Sequence, residues 1–166
     1  MNIRIGHGFD VHAYDKNKDD CMLCGVRILS GVGIKAHSDG DLVLHALTDA
    51  ILGALAKGDI GDYFPDTDDE GRGRDSMHFV QYAMNMLENM RYMVSNIDIT
   101  IVSQDIYVSP YKAQMVKILE DNLNLKKEAI NIKATTTDKL GFIGRNEGIS
   151  CMVTVLLISE SSENIT

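Results

Sequence analysis

Met1-Asn2-Ile3-Arg4-Ile5-Gly6-His7-Gly8-Phe9-Asp10-Val11-His12 opens the chain and enters a strand-like alternation at once. Residues two apart in an extended segment point to the same face, so Asp10 and His12 project together. One carboxylate and one imidazole can therefore converge on a single ion.

Reading outward, residues 21–29 form a second extended stretch, beyond the charged turn Asp15 to Asp20. Residues 38–57 read as a helix, with Ser38 or Asp39 as N-cap and Val43, Leu47, Ala50, Ile51 and Ala54 on one face. Gly58 is its stop signal. Residues 58–75, rich in Gly and Asp, read as a long loop of the kind that is often functional. A helix over 75–91 follows, striped by Val80, Ala83, Met84 and Leu87. Ile97, Ile99 and Ile101 then alternate as a strand. Ser109-Pro110 starts a helix that runs to about Asn122. Ile130, Ile132 and Ala134 mark another strand. The nearly continuous apolar run Ile149 to Ile158 suits a strand covered on both faces. The polar residues 159–166 read as a flexible tail. Strands and helices intermix, so residues 1–166 are expected to form one α/β (α+β) domain with helices packed on a sheet.

The 166 residues are 45% apolar and 24% charged, with a formal net charge of −8. That charge argues against nucleic acid as a partner, because phosphate backbones are held mainly by Lys and Arg patches. The longest apolar runs fall well short of the ~20 residues that span a bilayer. No basic n-region with an apolar core opens the chain. Three cysteines, Cys21, Cys24 and Cys151, suit a reducing compartment, and the expected location is the cytoplasm. Cys21 and Cys24 lack a second ligand pair at zinc-finger spacing and read as structural.

A third metal ligand to join Asp10 and His12 is best sought at His45. Two residues of helix turn through roughly 200°, which sets His45 opposite Leu47, on a face shared with Asp41 and Asp49. Asp49 is then placed to orient the His45 ring by accepting its free N–H. Two imidazoles and one carboxylate suit Zn²⁺ with an open fourth position, and Mn²⁺ fits the same donors.

Two stretches read as phosphate sites. His37 and Ser38 stand where a helix N-terminus offers free amides. Thr135, Thr136, Thr137 and Asp138 follow a strand and end at Gly141, combining hydroxyls and turn amides with a carboxylate for a hard cation such as Mg²⁺. No Walker loop, nucleophile elbow or H-E-x-x-H helix is present. These features point to a metal-dependent enzyme acting on a phosphorylated small molecule, and leave open a hydrolase of phosphate esters or nucleotides and a non-catalytic protein that holds diphosphates.

Six segments, Arg4 to His12, Ala36 to Asp41, His45 to Asp49, Gly58 to Gly61, Phe64 to Asp68 and Ala134 to Phe142, together resemble the 2-C-methyl-D-erythritol 2,4-cyclodiphosphate synthase family in order and spacing. The resemblance implies a homotrimer of ferredoxin-like subunits with a mixed sheet, helices on one face, and active sites between neighbours. It implies Zn²⁺ on Asp10, His12 and His45, Mg²⁺ or Mn²⁺ on Asp138, and His37 and Thr136 as transition-state stabilisers. Substrate contacts would come from Asp10, Val11, His12, His37 and Ser38. Asp59, Ile60, Gly61, Phe64, Pro65, Asp66, Thr67 and Asp68 would line the erythritol pocket. Ser103, Gln104, Asp105, Ile106, Tyr107, Val108 and Ser109 would hold cytidine, with Thr135 to Asp138, Phe142 and Arg145 completing the site. Asp138 stands where the family usually has glutamate. Ile106 and Tyr107 replace a usual Pro-Lys pair.

Overall fold

Alternating burial along the first strand shows how the layers are made. The computed structural model describes residues 2–36, 38–65, 73 and 75–159. In strand β1 (Ile3–Asp15), Gly6 and Gly8 are buried while Ile5, Phe9 and Val11 are exposed. The glycine side lies on helix α1 (Leu42–Ala54). A Cβ at Gly6 would sit 1.8 Å from the Ala50 carbonyl oxygen, and one at Gly8 would sit 1.9 Å from that of Ala46. Only glycine permits that approach.

A short hairpin, β2 (Asp20–Leu23) and β3 (Val26–Leu29), leads to β4 (Gly33–Ile34), which pairs with the end of β1. After α1 come a one-turn helix α2 (Ile60–Tyr63), α3 (Met77–Asn89) and β5 (Tyr92–Val102). A 3₁₀ turn over Ser109–Tyr111 introduces α4 (Lys112–Leu123), followed by β6 (Ile130–Thr135), one-turn α5 (Gly141–Gly144) and β7 (Gly148–Ser159). The main sheet runs β4-β1-β7-β5-β6, with β5 and β6 parallel and the other pairs antiparallel. The mixed α/β architecture is as expected from the sequence. Contacts of α1 with β1 and β7, α3 with β5, and α4 with β6 place helices against the sheet. Ile97, Ile99, Ile101, Val153, Val155 and Leu157 form the sheet side of the core.

Several local expectations change. The first helix begins at Leu42 with Asp41 as its cap, not Ser38 or Asp39, because the Asp41 carboxylate accepts the Val43 and Leu44 amides. The residues 58–75, read as loop, contain α2, which the Asp59 and Asp62 side chains cap reciprocally. β7 is not covered on both faces: Met152 is 37% exposed and Thr154 is exposed, while Cys151, Val153 and Val155 are buried against the helices. The second helix is shorter than 75–91, ending at Asn89 before Met90 and left-handed Arg91. The 160–166 part of the expected tail lies outside the described residues.

Candidate metal centre

The glycine-mediated seat of α1 on β1 brings His45 over the end of that strand. His12 Nε2 lies 3.0 Å from Asp10 Oδ2, and His45 Nδ1 lies 3.1 Å from the same oxygen. One donor atom from each of Asp10, His12 and His45 falls within 4.8 Å of the others. The three predicted ligands meet.

Outer contacts test whether this cluster suits a cation. His12 Nδ1 is 3.0 Å from the Lys35 carbonyl oxygen, which only accepts. The ring proton therefore sits on Nδ1, and Nε2 turns its lone pair to the Asp10 carboxylate. A lone pair facing a carboxylate needs positive charge between them, from a proton or a metal. The ionisation of the bare cluster agrees. Burial pushes the Asp10 carboxyl up, yet hydrogen bonds from both imidazoles, with their charge, hold it well below the carboxylate range. The hydrogen bond to Asp10 raises His12 against the opposing effect of burial. The donor set fits a divalent metal. Side-chain exposures of 15–24% leave it reachable by a ligand.

The surroundings of His45 differ from the sequence expectation. Helix α1 is buried almost all round, because the sheet, the β2–β3 hairpin and α3 enclose it. Asp41 lies in no polar face. It is fully buried and its carboxylate accepts the Cys24 amide at 2.8 Å and the Gly25 amide at 2.6 Å. Burial raises its pKa, and those amides with that of Leu44 oppose the rise. Asp49, expected to orient His45, instead accepts the Ile60 amide at 2.8 Å and so positions α2. The groups on His45 Nε2 are Ser76 Oγ at 2.9 Å and Ser38 Oγ at 3.2 Å. Ser76 was not singled out in the sequence, since a serine opening a helix reads simply as a cap.

The other predicted residues spread along the same end of the molecule. His37, Asp66, Thr67 and Asp68 lie outside the described residues. Ser38 accepts the Gly40 amide, while the first α1 amides expected to cradle phosphate are taken by Asp41. Asp59 caps α2 over Ile60 and Gly61, and Phe64 stacks on Phe79 with centroids 4.8 Å apart, while Pro65 is exposed. Ser103 is buried between the Tyr14 hydroxyl and the Ile106 amide. Ile106 and Val108 belong to the core, leaving Gln104, Asp105, Tyr107 and Ser109 nearer solvent, with Tyr107 74% exposed. Thr135, Thr136 and Asp138 are exposed and Thr137 partly so. The Thr136 hydroxyl accepts the Asp138 amide, and Gln104 accepts the Lys139 amide. Phe142 and Arg145 are exposed, the latter paired with Glu147.

Sheet register separates these groups. Val11 pairs with Ser150, Ser150 with Val102, and Val102 with Thr135. Three strand steps, about 14 Å, divide the metal centre's strand from the threonine loop.

Cys21, Cys24 and Cys151 are free and buried, in keeping with a structural reading. Burial pushes the Cys21 thiol up to about 11. Among the described residues no helix is long and apolar enough to cross a membrane.

The fold and the cluster define a mixed α/β protein with a carboxylate–bis-imidazole group that could hold a metal ion at one end of its sheet. Residues 3–158 match the YgbB family model. The chain is 49% identical to the 2-C-methyl-D-erythritol 2,4-cyclodiphosphate synthase of Glaesserella parasuis over 156 residues, 94% of this chain and 93% of that one. Among solved structures, the bifunctional IspDF of Campylobacter jejuni aligns with a TM-score of 0.91 at 42% identity, covering 96% of this chain and 43% of that longer one. A CDP complex of IspF from Plasmodium falciparum aligns at 0.85 with 34% identity, over 96% and 98% of the two chains. The chain belongs to the 2-C-methyl-D-erythritol 2,4-cyclodiphosphate synthase family.

Proposed function

We propose that this protein converts 4-diphosphocytidyl-2-C-methyl-D-erythritol 2-phosphate to 2-C-methyl-D-erythritol 2,4-cyclodiphosphate and CMP in the non-mevalonate isoprenoid pathway, in the cytoplasm. The convergence of Asp10, His12 and His45 on one point is the observation that carries it. The oxygen of the substrate's 2-phosphate attacks the β-phosphorus, the bond from that phosphorus to the α-phosphate bridging oxygen breaks, and CMP departs with the electron pair. Both reacting groups sit in one molecule, so the protein's task is positioning and charge neutralisation. Zn²⁺, or Mn²⁺, held by Asp10, His12 and His45 would polarise the β-phosphate, with Mg²⁺ or Mn²⁺ near Asp138 neutralising the diphosphate. His37 and Thr136 steady the crowded phosphorus. Asp59, Ile60, Gly61 and the Phe64–Asp68 segment hold the erythritol, and residues 103–109 hold cytidine. The CDP complex of the Plasmodium falciparum relative supports a cytidine nucleotide.

The working unit is a homotrimer. Two features support it. One is the ~14 Å between metal centre and threonine loop within a chain, which two copies meeting edge to edge would close. The other is the open sheet face, where Ile3, Ile5, Phe9, Val11, Met93 and Met152 stand exposed. Such an apolar face is one that a second copy covers.

Incubation with the diphosphocytidyl substrate tests the reading. Release of CMP with a cyclic product, abolished by chelator and restored by Zn²⁺ with Mg²⁺, is expected. Ring-opened phosphate products would instead mark a hydrolase.

A further inference from the structure

Ser76 stands at the head of α3 without capping it. Its hydroxyl makes no bond to the first-turn amides, and Asp75 Oδ1 takes the Met77 amide at 2.9 Å instead. The Ser76 side chain is fully buried and reaches across to the loop before α1. There it contacts Asp39 Oδ1 and, at 2.9 Å, His45 Nε2. Asp39 is itself anchored: Oδ2 accepts the Ser76 amide at 3.1 Å, and Oδ1 accepts the Asp41 amide at 3.2 Å.

The direction of this chain follows from donor chemistry. A carboxylate only accepts, so the single Ser76 hydroxyl proton points at Asp39. The Ser76 oxygen must then accept from His45, which puts the imidazole proton on Nε2. Nδ1 is left as the lone-pair nitrogen, and it is Nδ1 that faces Asp10. Ser38 Oγ at 3.2 Å, already accepting the Gly40 amide, is a longer second acceptor for the same proton. We infer that Asp39 and Ser76 are positioning residues of the metal centre, a carboxylate–hydroxyl relay that fixes the His45 tautomer for coordination through Nδ1.

The relay also explains why a serine at a helix start is spent on a distant ring. It ties the α1 entry loop to the first turn of α3, so the ring that completes the centre is gripped from both sides. His12 obtains the same service from the Lys35 carbonyl. Each imidazole thus has its own outer acceptor.

The inference rests on the metal reading of Asp10, His12 and His45, and the two can fail separately. Zinc affinity of the full-length protein is measured by competition with a chromophoric chelator. Ser76→Ala and Asp39→Asn are each expected to weaken it by about 10- to 100-fold. The asparagine keeps the shape of Asp39 but can donate to Ser76, which reverses the relay and drives the ring proton to Nδ1. Wild-type protein that takes up no zinc overturns both readings. Wild-type uptake with affinity within about twofold in either variant overturns the relay alone. Should a variant not fold, the ¹⁵N imidazole resonances of wild-type, zinc-loaded protein decide. A protonated Nε2 on His45 supports the relay, and a protonated Nδ1 overturns it.

Discussion

The candidate metal centre and the rim of Thr136, Asp138 and Tyr107 stand at one end of a single sheet, yet they are built in opposite ways. Asp10 and His12 ride on a strand and His45 on a buried helix, and each imidazole is braced by a second acceptor. The rim residues Thr136, Asp138, Tyr107 and Arg145 are exposed on short loops whose hydrogen bonds are mostly local. A centre that must hold three like-facing donors together needs rigidity before its ligand arrives. In the trimer proposed above, such a rim would be complete only after assembly.

The strongest way to break this comparison is to put the two halves into different copies. Asp10→Ala is expected to lower kcat about 10³-fold, the scale of several kcal/mol of lost charge stabilisation. Thr136→Ala should cost about 10²-fold, as for one lost transition-state donor. Neither variant should work well alone. Co-expressed, the two variants should recover about a quarter of wild-type CMP release, because one adjacent pairing in four joins an intact centre to an intact rim. No recovery would place both halves within one chain and remove the interface reading.

A milder perturbation compares glycines of the two regions. Gly8→Ala drives a methyl toward the Ala46 carbonyl, 1.9 Å away, one residue from His45. It should destabilise the protein by about 1–3 kcal/mol in urea unfolding and weaken zinc binding with it. Gly141 at the rim has φ +66° and nothing within 4 Å of an added Cβ. Gly141→Ala should cost about 1 kcal/mol of backbone strain and leave zinc binding untouched. Equal zinc loss in both would mean that the centre is no more tightly coupled to the packing than the rim is.

What the sequence disclosed follows the same division. The i, i+2 spacing of Asp10 and His12 and the helical phase of His45 survive folding, because strands and helices impose fixed directions on side chains. Periodicity likewise located the strands and helices of the sheet and its covering layer. It could not locate the cap. Ser38, Asp39 and Asp41 are all good N-cap residues, and the choice fell to Asp41 because its carboxylate also satisfies the Cys24 and Gly25 amides from a distant hairpin. For the same reason helical phase alone misplaces Asp49: it brings the residue near His45, but the Ile60 amide from the next element claims its carboxylate. Ser76 had no signal at all, since its partners lie 31 and 37 residues away. The open face of β7 was hidden too, because an apolar run reads alike whether a helix or another copy covers it.

The smallest expected effect concerns the rim alone. Ile106 is 5% exposed and Tyr107 is 74% exposed, so of the two only Tyr107 can present its side chain to a nucleotide. Tyr107→Lys places a cation at that position without touching the core. An exposed ion pair is worth roughly 0.2–1 kcal/mol, so KM for the diphosphocytidyl substrate should fall by about 1.4- to fivefold with kcat unchanged. The gain should shrink as ionic strength rises, because surface charges beyond about 10 Å are screened at 0.1 M salt. A lower KM that ignores salt would mean that the tyrosine had been obstructing the ligand. An unmoved KM would detach the cytidine pocket from residues 103–109, while the metal centre, braced by its own acceptors, would stand unaffected.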